Sequence, residues 1–260
     1  ADVCSGAFEH ALRQQAGGQA CRALVVQGRA PQLALGVSLR ALPAYRQLAD
    51  LAGRHIGVSS PGSSTHLVAS LILARAGVAP RDVTFVGVGS GKAALNALRS
   101  GRVHALCHAD PVMTLLEHKA NTRIVGDLRS LKAAPELFGG NMAASCLLAP
   151  QDFVQKQAPQ AQALANGIVH ALKWLQTAAP ADIVKAVPPS YLLGDRGAYL
   201  AAFSRVRETY STNGLMADDA PATALRALLR VHPELAEFKM DLTRTYTNDF
   251  VRKARQKFNV

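Results

Sequence analysis

The stretch from Arg54 to Asp110 constrains the fold most, because it repeats one strand, turn and helix plan twice before a third strand begins. Each turn is rich in glycine and serine, and each apolar run after a turn has helical spacing and ends at a glycine. The predicted elements are strand 54–59, helix 67–76, strand 83–88, helix 93–100 and strand 103–108. This alternation predicts an α/β protein with a parallel sheet, because a parallel connection needs a crossover helix.

The two turns place hydroxyl groups where ligands bind in such sheets. Ligands of parallel sheets lie at the carboxyl ends of the strands, where helix N-termini offer free N–H groups. A single serine in these turns is explained by capping of its own helix. Two such turns beside a strand that ends at an acidic residue indicate a binding edge, formed by Ser63, Ser64, Thr65, Ser90 and Asp110.

Composition indicates a globular protein and gives little support for nucleic-acid binding. The 260 residues are 49% hydrophobic, and no run approaches the roughly 18 apolar residues of a membrane helix. The net charge of +11 raises the possibility of a nucleic-acid ligand, but the basic residues are scattered, with one dense cluster at 252–257. With aromatic residues at 5%, the chain has little material for stacking bases, so we expect a basic, solvated surface and no nucleic-acid partner.

The four cysteines do not form a metal-binding pattern. No C-x-x-C pair occurs, and Cys107 and Cys146 lie in apolar runs typical of buried thiols. Whether Cys4 and Cys21 form a disulfide is left open by the sequence.

The remainder of the chain divides at Gln151. Before it, strands are predicted over 23–27, 33–38, 123–126 and 142–149, with helices over 8–15, 43–51 and 112–119. A loop is predicted over 132–141, because Pro135 and the Gly139-Gly140 pair interrupt regular structure. After Gln151, only helices are predicted, over 152–157, 160–176, 181–187, 195–210, 221–229 and 247–257.

The common catalytic motifs are absent. The glycine-rich run 86–93 has Val86 and Ala93 where a phosphate-binding loop needs glycine and a hydroxyl, and the dinucleotide fingerprint and the nucleophile elbow also fail. His104 and His108 lie about 13 Å apart along one strand, too far for one metal ion. His108 near the end of that strand is a candidate ligand contact. No catalytic residue, metal site or cofactor is predicted.

The central region resembles the solute-binding proteins of ABC importers, and within them the NMT1/THI5-like group that binds nitrate, sulfonates, taurine or thiamine-precursor pyrimidines. The resemblance lies in residues 51–58, Pro61-Gly62-Ser63-Ser64, 86–90, 94–98, 101–105 and Asp110-Pro111. Residues 141–150 and the helix through 171–175 resemble the return crossover and lobe-packing helix of that group. The resemblance covers most of residues 1–175.

This resemblance implies an α/β, type II periplasmic-binding-protein fold with two lobes that close on a ligand like a venus flytrap. Lobe I is expected at 1–38 plus 143–260 with a helical C-terminal tail, and lobe II at 39–142. The crossover strands would be 33–38 and 143–149. Relative to the family, the N-terminal part of lobe I is expected to be missing from this sequence.

The resemblance also implies positions for ligand contacts in the cleft between the lobes. Ser5, Gly6 and Ala7 would form a loop of the first lobe, and Asn141 would lie near the hinge. The residues at the binding edge described above, Ser63, Ser64, Thr65, Ser90 and Asp110, would be contacts from the second lobe.

The implied function is that of a periplasmic, monomeric solute-binding component that delivers a small polar or anionic solute to a membrane permease without catalysis. The signal peptide of such a protein is not in this sequence. Two alternatives share the scaffold: an enzyme like the thiamine-pyrimidine synthase, whose C-C-C-F-C segment is absent here, and the effector-sensing domain of a transcription regulator.

Overall fold

A computed structural model describes residues 2–260. The chain forms two compact units, each assembled from separate segments. Unit 1 comprises the chain up to Pro31, Leu131–Ala178 and Arg207–Val260; unit 2 comprises Gln32–Ser130 and Ala179–Val206.

The chain forms both strands and helices up to Pro150 and only helices after it. In chain order they are β1 (Cys4–Ala7), α1 (Glu9–Ala16), β2 (Cys21–Val26), β3 (Leu33–Ser38), β4 (His55–Val58), α2 (Ser64–Arg75), β5 (Thr84–Gly87), α3 (Lys92–Arg99), β6 (Ala105–Ala109), α4 (Val112–Lys119), β7 (Thr122–Asp127), α5 (Ala133–Phe138), β8 (Ser145–Pro150), α6 (Gln151–Lys156), α7 (Ala158–Thr177), α8 (Pro180–Ala186), α9 (Arg196–Val206), α10 (Ala220–Val231) and α11 (Asp249–Phe258).

Unit 1 is built on a small antiparallel sheet with the strand order β1-β8-β2. Its core forms where helices α7 and α11 pack on the apolar residues of β2 and β8. Val169 and Leu172 of α7 and Val251 of α11 are nearly inaccessible to solvent and belong to one apolar cluster with Leu24 and Val25. Each such side chain contributes on the order of 2 kcal/mol when it is withdrawn from water.

Unit 2 is built on a five-stranded mixed sheet with the order β5-β4-β6-β3-β7. Strand β4 pairs in parallel with β5 and β6, whereas β3 is antiparallel to β6 and β7. The two strand, turn and helix repeats therefore form the parallel part of the sheet, as the sequence predicts. Because β4, β5 and β6 run in one direction, their carboxyl ends meet at one edge.

Part of the helical tail belongs to unit 2. Helix α9 packs on α4, and an ion pair joins Lys119 of α4 to Asp195 just before α9. A second ion pair joins Arg205 of α9 to Glu117 of α4 over 2.7 Å. These contacts place residues 179–206 in unit 2 rather than in the predicted first lobe.

The unit boundaries differ from the predicted lobes in the stretches 32–38, 131–142 and 179–206. The sequence assigns β3 to lobe I as a crossover strand, but β3 is buried along its whole length in the sheet of unit 2. Its pairing with β6 and β7 on both sides fixes it there.

The predicted loop 132–141 is wrong, because residues 133–138 form helix α5. Pro135 lies in the first turn of this helix, where a backbone N–H has no intrahelical partner and its loss is tolerated. Gly139 then ends the helix with φ of 78°, a left-handed conformation that favours glycine. Pro135 and Gly139, which predict a loop in the sequence, therefore mark the first turn and the end of helix α5.

Two smaller predictions are also wrong. The predicted helix 43–51 is reduced to a 3₁₀ turn at Leu48–Leu51. Ser5, Gly6 and Ala7 form strand β1 rather than a loop, because they pair with Leu147, Cys146 and Ser145 of β8.

All four cysteines are free thiols. Strand β8 separates Cys4 on β1 from Cys21 on β2, so their Cα atoms lie about two strand spacings, roughly 10 Å, apart. A disulfide needs less than about 7 Å. Cys107 and Cys146 are fully buried, as predicted, and burial raises the pKa of both thiols. Within residues 2–260, none of the helices combines the length and apolarity required to cross a bilayer.

Candidate functional site

A cavity of about 410 Å³ lies at the carboxyl edge of the parallel strands in unit 2. It brings together three predicted site residues, Ser90, His108 and Asp110, from the ends of β5 and β6. The remaining lining residues are Gly91, Pro111, Val112, Ser190, Tyr191 and Leu193. The predicted binding edge therefore carries a concave surface with several polar groups.

The turn between β5 and α3 presents Ser90 on the surface. Gly89 and Gly91 on either side have φ of 69° and 57°, values that a residue with a Cβ atom rarely adopts. The N–H of Gly89 donates to the Ser59 carbonyl over 3.0 Å, so this turn adjoins the turn after β4. Helix α3 begins at Lys92, so the positive end of its dipole lies beside the Ser90 hydroxyl.

His108 is nearly buried at the inner side of the cavity, with 8% of its surface exposed. Its Nε2 lies 3.2 Å from the Gly89 carbonyl oxygen and its Nδ1 lies 3.3 Å from the Ala109 carbonyl oxygen. Both ring nitrogens therefore face backbone acceptors, and the ring supports the turn that carries Ser90.

Asp110 is held from behind by a buried arginine. Its Oδ1 accepts the Thr114 N–H over 2.9 Å at the start of α4, and Arg129 Nη1 lies 3.4 Å from both carboxylate oxygens. The side chain of Arg129 is 1% exposed, and that of Asp110 is 7% exposed. The negative charge of Asp110 at the cavity is thus largely neutralised within the protein.

Two further carboxylates complete the coordination of Arg129. Asp127 lies 2.7 Å from its Nη2, and Glu117 lies 3.4 Å from the same nitrogen. Burial alone would raise the pKa of both acids, but the hydrogen bonds and positive charges of Arg129 and Arg205 leave each pKa below its ordinary value. Both acids are therefore ionised at neutral pH.

Ser63, Ser64 and Thr65 lie at the start of α2 in unit 2, and none of them is among the residues that line this cavity. Ser63 is the N-cap, and its Oγ accepts the His66 N–H over 3.4 Å. The buried Thr65 hydroxyl accepts the Ser59 N–H over 2.9 Å and lies 2.7 Å from the Ser63 hydroxyl. These hydroxyls cross-link their own turn, and their role as ligand contacts stays a prediction.

Replacing Ser63 by Ala is expected to destabilise the protein by about 1 kcal/mol, because the helix loses its N-cap. Urea denaturation of the variant and of Ser64→Ala, which leaves the cap in place, measures the difference. An equal loss in both variants would contradict the capping role of Ser63.

The remaining predicted contacts, Ser5, Gly6, Ala7 and Asn141, belong to unit 1. The Ser5 hydroxyl donates to Gln27 Oε1 over 2.7 Å, while Gly6 and Ala7 are committed to pairing with β8. The Asn141 side chain donates to the Asp219 carboxylate over 3.1 Å and lines a separate cavity of about 600 Å³. Apolar walls from Met142, Leu215 and Met216 dominate that cavity, and Arg29 and Asp218 also line it.

Sequence reasoning missed Arg129, Ser190 and Tyr191. Arg129 follows β7 in a stretch that resembles any strand end, and only the fold shows that its side chain is buried among acids. Ser190 and Tyr191 follow a proline pair that signals a break between helices and gives no sign of proximity to β5 and β6. Among residues 2–260, no group of three histidine, cysteine or acidic side chains is arranged to hold a metal ion.

Solved structures with a similar fold include a protein of Bordetella bronchiseptica RB50. Its sequence is 48% identical, the match covers 100% of this chain and 82% of the Bordetella chain, and the TM-score is 0.96. A periplasmic sulfonate-binding protein, SsuA, of a putative sulfonate ABC transporter from Methylobacillus flagellatus KT is 18% identical over 99% of this chain and 76% of its own, with a TM-score of 0.68. The periplasmic nitrate-binding protein NrtA of Synechocystis PCC 6803 is 12% identical over 100% of this chain and 74% of its own, with a TM-score of 0.72.

The last two likenesses establish the fold, which is the predicted periplasmic-binding-protein type. A desulfurization enzyme, DszB, shares it at 18% identity and a TM-score of 0.64, so the fold alone does not decide between binding and catalysis. No curated protein matches this chain by sequence.

The profile of the NMT1-like family matches residues 11–187, which include the two repeats, the cavity residues Ser90, His108 and Asp110, and helix α7. The chain therefore belongs to the NMT1-like family.

Proposed function

We propose that this protein is the extracytoplasmic solute-binding component of an ABC importer. It binds a small polar or anionic solute and leaves the solute chemically unchanged. The observation that carries the proposal is the cavity at the carboxyl edge of unit 2, with its hydroxyl groups beside a helix N-terminus. Membership of the NMT1-like family and the fold shared with sulfonate-binding and nitrate-binding proteins support it.

The chemistry of the cavity suits an anion with hydrogen-bond acceptors. Ser90, Ser190 and Tyr191 offer hydroxyl donors, and the dipole of α3 favours negative charge at the same place. The one carboxylate in the lining, Asp110, already faces Arg129, so its repulsion of an anion is reduced. Sulfonates, nitrate and pyrimidine precursors of thiamine remain the proposed ligand classes.

The arrangement gives no support to catalysis. A hydrolytic site needs a nucleophile hydrogen-bonded to a base. Here the His108 ring nitrogens face the carbonyl oxygens of Gly89 and Ala109, and the Asp110 carboxylate is bound to Thr114 and Arg129. We infer that these groups shape and stabilise the cavity.

A thermal-shift screen against alkanesulfonates, nitrate, bicarbonate, aromatic acids and aminopyrimidines tests the proposal, followed by calorimetric titration of each compound that raises the Tm. A ligand at about 100 times its Kd stabilises the folded state by about 2.7 kcal/mol. The absence of any stabilising compound in this set, or chemical conversion of one by the purified protein, would overturn the proposal.

Replacing Ser90 by Trp is expected to abolish binding of the compound found in the screen, because the added indole takes space that the solute needs in the cavity of about 410 Å³. Ser100→Trp is the matched control, since Ser100 is an exposed serine at the opposite end of the same helix. Calorimetric titration should show loss of binding in the first variant and wild-type affinity in the second. Wild-type affinity in both would remove Ser90 from the binding site.

A further inference from the structure

Five exposed arginines lie at the end of unit 2 opposite Ser90 and Asp110. Three of them come from residues 40–54 and the other two from positions 102 and 123, so the sequence does not show them as one cluster. We call this set the arginine edge: Arg40, Arg46, Arg54, Arg102 and Arg123.

The topology of the sheet gathers these residues. Strands β4, β6 and β7 begin at this end and β3 finishes there, because β3 is antiparallel to its neighbours. Val37 of β3 is paired with both Ala105 of β6 and Arg123 of β7, and Ala105 is paired with Ile56 of β4. Arg54, Arg102, Arg40 and Arg123 therefore come from the ends of four adjacent strands. Such strands span about 15 Å.

The charges of the arginine edge are largely uncompensated. Among residues 2–260, no acid lies within 4.0 Å of a charged nitrogen of any of the five arginines. Arg123 instead lies over the buried ring of Tyr45, 5.9 Å from its centroid. The nearby Asp50 carboxylate accepts the backbone N–H groups of Arg46 and Gln47.

The local field is positive at the histidine pair on the same edge. The rings of His55 and His104 lie 5.5 Å apart. Burial lowers the pKa of His104, and the charges of His55 and Arg54 lower it further. Asp82 also lies near this end, since its backbone carbonyl accepts the Gly53 N–H over 2.7 Å, and its carboxylate lies 4.0 Å from Arg81.

The composition of the edge favours a phosphate-bearing surface over a protein. Protein interfaces depend on large apolar or aromatic anchors, whereas the exposed large apolar residues of the described chain are Leu164, Trp174, Tyr191 and Phe238, none of which belongs to this edge. Guanidinium groups match the geometry of phosphate oxygens. We propose that the arginine edge binds the headgroups of an anionic phospholipid surface, which leaves the opposite edge with Ser90 free.

Vesicle co-sedimentation of the full chain tests this proposal. Vesicles of about 30% phosphatidylglycerol in phosphatidylcholine are expected to retain the protein at low salt, and vesicles of phosphatidylcholine alone are not. The triple variant Arg40→Gln/Arg54→Gln/Arg123→Gln should lower the partition coefficient roughly 100-fold, because each arginine near an anionic surface contributes about fivefold. Circular dichroism melts establish that the variant is folded.

The matched control removes three charges from helix α11 of unit 1, in the variant Arg252→Gln/Lys253→Gln/Lys257→Gln, whose replaced side chains are also exposed. It should change the partition coefficient less than about threefold. An equal loss in both triple variants would mean that overall charge causes the attraction and would overturn the proposal. So would failure to bind phosphatidylglycerol vesicles, including the case in which a DNA duplex binds through the same arginines.

Discussion

Replacing Arg129 by Met is expected to destabilise the protein by about 3 kcal/mol, because it leaves the buried Asp110 carboxylate without its counter-ion. Breaking a buried ion pair from one side typically costs about 3–5 kcal/mol. The lower end applies here, since the side chains of Glu117 and Asp127 are 31% and 44% exposed and regain water. Urea denaturation followed by far-UV circular dichroism measures the loss.

The loss should depend on pH in a defined direction. Asp127 and Glu117 have a lowered pKa in the folded protein, so their contribution to stability is present above their unfolded pKa values and is lost as the pH falls through the folded ones. The difference between wild type and Arg129→Met should therefore shrink below about pH 4. Arg129→Lys should lie between them, because an ammonium keeps the charge but not the fork of donors.

The control for Arg129 is Arg102→Met, which removes the same charge from an exposed loop and should change stability by less than about 0.5 kcal/mol. Similar stabilities of Arg129→Met and wild type at neutral pH would show that the buried network contributes nothing.

Replacing Glu9 by Gln is expected to remove a pH dependence of stability of about 3 kcal/mol in unit 1. Glu9 is 2% exposed, and its Oε1 has no hydrogen-bond partner within residues 2–260. Burial raises its pKa from 4.5 to about 7, against the opposing effects of its own backbone N–H and of Arg13. One pKa unit corresponds to about 1.4 kcal/mol.

The sign follows from proton binding. Between pH 4.5 and about 7, folded Glu9 holds a proton that the unfolded chain has released, so raising the pH lowers the stability of the wild type across this window. Glu9→Gln lacks this loss. Unfolding of both proteins from pH 4.5 to pH 8, followed by the fluorescence of Trp174 in unit 1, gives the difference. Glu237→Gln, at an exposed position, is the control, and parallel curves for wild type and Glu9→Gln would contradict the prediction.

The sequence patterns were informative where local and tertiary preferences agree. The two repeats between Arg54 and Gly101 combine β-branched runs, glycine turns and helical spacing, and they form β4, α2, β5 and α3 within one or two residues of the predicted bounds, apart from the late predicted start of α2. Their turns adjoin through the hydrogen bond from Gly89 to Ser59. Ser90 and Asp110 could be placed at one edge for the same reason.

Other features depend on partners that are distant in the chain. The sequence suggests that Arg129 is a surface residue. In the fold, its guanidinium is buried beside the carboxylates of Asp110, Glu117 and Asp127. The sequence of β3 is compatible with a crossover strand and with a central strand. Only its pairing with β6 and β7 assigns it to the sheet of unit 2. Pro135 has opposite meanings in the first turn of a helix and in its interior, so a pattern without the helix start could not resolve α5.

Because the segments of the two units alternate along the sequence, the two units are completed at different times during synthesis. Ala23 of β2 donates its N–H to the Thr245 carbonyl and accepts the Thr247 N–H, so unit 1 joins β2 to the segment around Tyr246. A ribosome that has released residue 206 has delivered every segment of unit 2, whereas unit 1 still lacks α10 and α11. When the chain emerges N-terminus first, we expect unit 2 to become protease-resistant before unit 1, because residues 2–31 of unit 1 need residues 207–260 as partners.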